Sequence, residues 1–425
     1  MQELEPKPIS SMQNYQTQSQ PRQGEKAKPL KLALVSCGLG NVHRGFEVST
    51  GRWFEVLKTH PGLDVRLYTG AKHPGGSPVI NIPRDWVMQS PLAVFKPINR
   101  RRYWEFCYGV EQISYGLFYW PDLVRFQPDI VWTKEVPFGY FLPAYRAAFG
   151  MSFKTIFANG GAFQPATYKC FDYIQHLTQE SYEEALAFGI PAHKMQTLTN
   201  SILFRQTNDT REQVRSSFGF AADDYVIMCV AAWNSYHKRL DYLIDEVAAI
   251  KDRKIKLLLC GHPDAETGLV KQLADNKLPG QVQWLTLSEA EVHRAMKGAD
   301  VFVLPSVTEC LGNSIAEAIM GELPVIVHST TASRFILGSD RSEWFADLSQ
   351  PGALAGRLMQ LRQDPSAHQR ISLAQPRVQQ LFSPEALVPR FYQMAVNLHN
   401  TAHGAGITSG AGIAGSAGGA QGADD

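Results

Sequence analysis

The segment Val301–Ser329, VFVLPSVTECLGNSIAEAIMGELPVIVHS, leaves the chain few ways to fold. Val301–Leu304 is an unbroken apolar run closed by Pro305, as in a strand buried on both faces of a parallel sheet. A polar loop follows. From Asn313 the residues Ile315, Ala318 and Ile319 recur at helical spacing until Gly321 and Pro324 stop the helix, and Val325–Val327 reads as the next strand. The pattern predicts a βαβ unit, whose ligands lie beyond the carboxyl ends of its strands.

In such a unit the Gly312–Ser314 loop aims backbone N–H groups at an anion, and a diphosphate suits that geometry. Glu309 lies on the loop. Glu317 lies about one turn into the helix with its side chain leaning back toward the amino end, so both carboxylates can face one small ligand. Phosphates would repel these acids, which makes hydroxyls their natural partners. Hydroxyls together with phosphates point to a nucleotide sugar. The plainer alternative has Glu317 favouring its helix terminus by dipole and Glu309 solvated on the loop.

Pro305, Ser306, Glu309, Gly312, Asn313, Glu317, Ala318, Gly321, Pro324 and Val325 stand as in the E-x7-E segment of retaining GT-B glycosyltransferases, and the stretch resembles the family-four-like group. The resemblance implies an α/β protein of GT-B type, with two Rossmann-like, doubly wound domains facing across a cleft. It implies transfer of a sugar, with retention, from a nucleotide-diphosphate donor to a hydroxyl acceptor, with no metal required and no further cofactor. In that scheme Glu309 faces the sugar, Glu317 holds the ribose, and the amides of Leu311, Gly312, Asn313 and Ser314 face the diphosphate. A nucleotide-sugar epimerase and an inactive binding subunit are the readings that compete with it.

With 425 residues the chain has room for two cores, and a formal net charge of +1 offers no basic field for nucleic acid. The six cysteines sit in apolar runs without C-x-x-C spacing, which predicts neither zinc nor disulfides and fits a reducing cytosol. No stretch approaches the roughly 20 apolar residues of a membrane span, and the amino terminus is too polar for a secretory signal. Any membrane contact is therefore expected to be peripheral.

Residues 1–29 and 401–425 read as disordered tails, the first polar and Pro-containing, the second Gly/Ala-rich. Between them the first domain is expected over 30–200. Lys31–Val35 is its first strand, and G-L-G-N-V-H-R-G leads into a helix from about Glu47. That turn misses a dinucleotide fingerprint at His43. By resemblance Gly38, Gly40, Arg44, Gly45 and, at the end of a later strand, Asn159 line the acceptor side. Asn159 stands near where the family often carries a histidine.

Pro83–Pro97 reads as an irregular connection. The aromatics from Tyr103 to Trp120, behind Arg100–Arg102, read as one helix packed on the sheet, or as an interfacial element meeting a membrane. Residues 201–211 lack an apolar period and read as a hinge.

The second domain is expected over 212–383, opening with the strand Tyr225–Ala231. Lys238, on the loop that follows, is placed as a compact cation for a diphosphate. The family's Gly-Arg pair is replaced there by Ala232-Trp233-Asn234, leaving Arg239 as a candidate second charge. Gly261 would allow close approach to phosphate, and Leu285-Thr286 mark where the family holds the base. His368–Leu381 is predicted to be a helix broken or kinked at Pro376, and 384–400 a helix that crosses back to the first domain.

Overall fold

The computed structural model describes residues 28–42, 45–92, 100–161 and 163–402. Arg44 and most of both expected tails lie outside the described residues. Seven strands form the first sheet: β1 (Leu30–Ser36), β2 (Leu63–Thr69), β3 (Gly76–Pro78), β4 (Ile130–Thr133), β5 (Lys154–Asn159), β6 (Tyr173–His176) and β7 (Met195–Thr197). Their spatial order is β3-β2-β1-β4-β5-β6-β7. Six form the second: β8 (Tyr225–Val230), β9 (Ile255–Cys260), β10 (Val282–Leu285), β11 (Val301–Leu304), β12 (Val325–His328) and β13 (Phe345–Ala346), ordered β10-β9-β8-β11-β12-β13.

Each pairing is parallel, with Leu34 opposite Trp132 in the first sheet and Phe302 opposite Met228 in the second. Parallel strands need crossover helices on both faces, which explains why β4 and β11 are buried at every position. Each fully buried Leu, Val or Phe contributes about 1.5–3 kcal/mol relative to exposure. Both sheets reverse direction of winding once, between β1 and β4 and between β8 and β11. Those two points are where ligands of open α/β sheets bind.

Three local features differ from the sequence expectation or sharpen it. The Pro83–Pro97 connection holds a short helix, Arg84–Gln89, opened by Pro83, whose fixed φ suits a helix start. The helix of the aromatic run extends over Arg100–Phe126 and has two faces. Tyr115, Tyr119 and Leu123 are buried on the sheet, Cys107 is buried against Val87 of the helix Arg84–Gln89, and Tyr119 meets Phe138 edge-on at 5.4 Å. On the other side Phe106, Leu117, Phe118 and Trp120 are exposed, because no further layer covers this helix among the described residues. The predicted break before Pro376 separates the helices Ala367–Ser372 and Gln375–Phe382, where proline takes an opening position that needs no N–H bond.

The helix Pro384–Ala402 packs on the first sheet. Leu387, Phe391, Met394, Ala395 and Leu398 share one core with Trp53, Leu57 and the strands β1 and β4, and the Trp53 and Phe391 rings lie 5.0 Å apart. Nearby, Ile202 N–H donates to the Phe382 carbonyl at 2.8 Å. The chain thus passes between the two sheets twice, along adjacent paths.

Candidate functional site

The loop after β8 is folded around Asn234. Its side-chain oxygen accepts the N–H groups of His237 (3.2 Å) and Lys238 (2.8 Å), while its amide donates to Asp264 at 2.7 Å. This closed turn turns Lys238 toward the neighbouring strand β11. There Lys238 Nζ lies 2.5 Å from Glu309 Oε1, with both side chains largely buried. The pair bridges the reversal point of the second sheet.

Arg239 takes another course. Its backbone is left-handed, with φ of 51°, and its guanidinium donates to the carbonyls of Pro305 (3.2 Å) and Leu348 (2.5 Å). It braces the end of β11 instead of joining the Lys238–Glu309 pair.

Gly312 opens the helix Asn313–Met320 with φ of 74°, and a Cβ there would also come within 2.9 Å of Ile315. Glycine is the residue that adopts this conformation without strain. The turn leaves Leu311 buried and Asn313 and Ser314 partly exposed at the helix mouth. Asn313 Oδ1 accepts from Asn200 Nδ2 at 3.3 Å, so this loop is tied to the segment leaving the first domain.

Glu317, on the first turns of that helix, is 4 % exposed and faces the other domain. Arg52, from the helix Gly45–Leu57, donates to Glu317 Oε1 at 2.6 Å and to Glu289 Oε2 at 3.0 Å. Burial opposes the guanidinium's charge, but Glu317 and Glu289 together hold its pKa above the ordinary value.

Gly261 is explained by the sheet. A Cβ there would fall 1.8 Å from the Ala231 carbonyl oxygen, a backbone atom with no room to move. Its N–H donates to Leu285 O at 2.9 Å, and Thr286 Oγ donates back to Gly261 O at 2.7 Å, which fixes the β10 end of the cleft.

Across from this, Gly38 and Gly40 follow β1. A Cβ on Gly38 would strike Arg84 and Glu47, and Gly40 has φ of 92° against Ala71. Gly45 begins its helix in open space, and Asn159 is buried at the end of β5. Behind Gly38 lies a buried group of charges. Arg84 pairs with Glu111 and lies 3.6 Å from Glu47, while Glu135 accepts from Tyr108 (2.9 Å) and Gln112 (2.5 Å). Burial and the charge of Glu47 push the Glu135 carboxyl up to about 7.

Lys134, beside it, donates to Ser49 Oγ and to Asn200 Oδ1 (3.0 Å). Burial lowers its pKa to about 7 against the opposing pull of Glu47 and Glu135. Among the described residues no group of three His, Cys, Asp or Glu side chains is arranged to hold a metal ion.

Arg52, Lys134, Asn200 and Glu289 were not among the sequence candidates. Lys134-Glu135 had a signal, since they directly follow a buried strand at the reversal point of the first sheet. Arg52 had none, because its partners are 237 and 265 residues away in the other domain.

Comparison with known proteins bears on this geometry. Residues 224–364 match a family model described as glycosyl transferases group 1. The matched segment lies within the second domain. It contains Lys238, Arg239, Gly261, Thr286, Glu309 and Glu317.

A relative from Bacillus subtilis (strain 168), named "Putative glycosyltransferase EpsD", is 24% identical over 197 residues, or 44% of this chain and 51% of its own. The chain thus spans about half the length of that curated relative. Among solved structures, sucrose-phosphate synthase from Thermosynechococcus elongatus has a TM-score of 0.69 at 17% identity, covering 88% of this chain and 100% of its own. Anabaena HepE in complex with UDP and glucose has a TM-score of 0.65 at 13% identity, covering 87% and 100%. With the two parallel sheets, these likenesses establish the GT-B fold.

Proposed function

We propose that the protein is a retaining glycosyltransferase of the E-x7-E type that moves a sugar from a nucleotide-diphosphate donor to a hydroxyl acceptor. The observation that carries this reading is the Lys238–Glu309 ion pair at the reversal point of the second sheet, beside the helix mouth at Gly312. A cation and a carboxylate held side by side suit the two ends of one bond. The ammonium suits the diphosphate, and the carboxylate suits the hydroxyls of the sugar.

On this reading the bond between the anomeric carbon and the diphosphate oxygen breaks, and its electron pair leaves on the diphosphate. The acceptor oxygen forms the new bond and gives up its proton to the departing diphosphate oxygen. Lys238 and the amides of Leu311–Ser314 stabilise the negative charge that grows on the leaving group, a preorganised electrostatic effect. No metal is needed where a cation and a helix amino end face the same phosphate. Glu317 takes the ribose hydroxyls, and the Leu285-Thr286 end takes the base.

The acceptor enters from the first domain, over the loop that includes Gly38 and Gly40, with Asn159 nearby. HepE is described with UDP and with UDP-glucose, which makes UDP-sugars the first donors to try. The test incubates the protein with UDP-, GDP- and ADP-sugars, with and without glycan, lipid and small-molecule hydroxyl acceptors, and reads products by mass spectrometry and anomeric configuration by proton NMR. An α-linked product from an α-linked donor is expected. An inverted product would overturn retention, free sugar or an epimer regardless of acceptor would support the epimerase reading, and binding without turnover would support an inactive subunit.

A further inference from the structure

The guanidinium of Arg52 spans the place that the proposed nucleoside would take. It reaches across the cleft from the helix Gly45–Leu57 and bonds Glu317, the acid assigned to the ribose, and Glu289. Glu289 opens the helix that follows the Thr286–Ser288 loop, where the base is assigned. One side chain of the first domain therefore joins the ribose position to the base position of the second. Glu317 Oε1 is engaged at 2.6 Å, and a ribose whose two hydroxyls each donate to one oxygen of this carboxylate needs Oε1 as well as Oε2.

We propose that Arg52 is an intramolecular competitor of the donor, a latch that the ribose must displace from Glu317 before the nucleotide is seated. The proposal rests on the ribose assignment made above. Opening of the latch frees Glu317 from Arg52, while the Arg52–Glu289 pair, the Asn200–Asn313 bond and the packed helix Pro384–Ala402 keep the domains joined. Arg52 remains held by Glu289, so it is displaced rather than expelled. Donor binding is then opposed by one ion pair across the cleft, and affinity scales with the fraction of molecules in which the latch is open.

The experiment is calorimetric titration of UDP, GDP and ADP into the full chain and into Arg52→Gln, Arg52→Lys, Glu317→Gln and the double variant Arg52→Gln/Glu317→Gln, with thermal melts of each. Arg52→Gln is expected to bind the preferred nucleotide about tenfold more tightly, the factor for a latch closed nine-tenths of the time. Arg52→Lys, whose single ammonium does not bridge two carboxylates, is expected to gain less.

Glu317→Gln is expected to bind more weakly, and in its background Arg52→Gln is expected to give no gain. A folded Arg52→Gln or Arg52→Lys that binds no more tightly than the parent overturns the latch alone. If Glu317→Gln leaves nucleotide binding unchanged, or no nucleotide binds the parent and the variants, the ribose assignment fails and the latch fails with it.

Discussion

Lys238 and Glu309 arrive from the ends of the adjacent strands β8 and β11 and meet at 2.5 Å. If this ammonium faces the diphosphate in the reaction, Lys238→Ala removes a cation where negative charge grows on the leaving group. The expected loss is about 10²–10³ in kcat. Lys238→Arg should restore only part of it, because the planar guanidinium is wider and Arg239 is already committed to two carbonyls. Steady-state kinetics on variants that melt like the parent decide the point, and near-parental turnover of Lys238→Ala would remove the role.

The two acids should separate kinetically. Glu317→Ala is expected to raise the donor KM with little change in kcat, since the ribose carries the same charge in ground and transition states. Glu309→Ala is expected to lower kcat, because it faces the part of the substrate whose charge changes. A raised KM with unchanged kcat for Glu309→Ala would transfer that residue to simple binding.

Gly261→Ala distinguishes two reasons for a glycine. If it served only phosphate approach, alanine would weaken donor binding and leave the fold alone. The 1.8 Å approach to the Ala231 carbonyl instead predicts a destabilised second sheet, by about 1–3 kcal/mol as for other overpacked sites. A lowered melting temperature without nucleotide, next to an unchanged one in Gly268→Ala, where a Cβ meets nothing within 4 Å, is the expected result.

What the sequence conveyed, and what it withheld, follows from the range of the interactions. The strand β11, the helix after Gly312 and the strand β12 are written in local periodicity, so Val301–Ser329 was readable as one βαβ unit. The position of Lys238 was readable because a buried strand precedes it. Arg239 was misleading, since adjacency in sequence suggested a second phosphate cation. A left-handed backbone at that residue sends its guanidinium to Pro305 and Leu348.

The role of Arg52 depends on a second domain more than 200 residues away, which no local pattern encodes. Likewise, the aromatics of Arg100–Phe126 gave the helix but could not tell which of its faces would be covered. That depends on whether another layer packs there.

The docking of Pro384–Ala402 gives a stability prediction. Phe391 is fully buried against Trp53, so Phe391→Ala should cost about 3–5 kcal/mol, the range for a buried phenylalanine whose cavity does not collapse. The effect belongs to the first domain, on whose core the ring sits, although the helix follows the second domain in the chain. Hydrogen exchange by mass spectrometry should therefore show loss of protection in β1, β4 and the helix Gly45–Leu57 before the second sheet. Loss confined to β8–β13 would contradict it.

Lys134 and Glu135 give opposite signatures of pH. The Lys134 ammonium has its pKa lowered from 10.5 to about 7 by burial, so between those values the unfolded chain binds a proton that the native state does not. Stability from this residue therefore rises with pH across about 7 to 10.5. Glu135 is raised from 4.5 to about 7 by burial and by Glu47, so across about 4.5 to 7 the native state binds the extra proton, and stability falls as pH rises.

Together they place a minimum near neutrality in the first domain's stability. Lys134→Met should flatten the alkaline limb and leave most of the acid limb, whereas Glu135→Gln should flatten the acid limb. Chemical denaturation at intervals from pH 5 to 10 measures both. An alkaline limb as steep in Lys134→Met as in the parent would mean that this lysine is charged in the folded protein well above neutrality, held by Ser49, Asn200 and the nearby carboxylates.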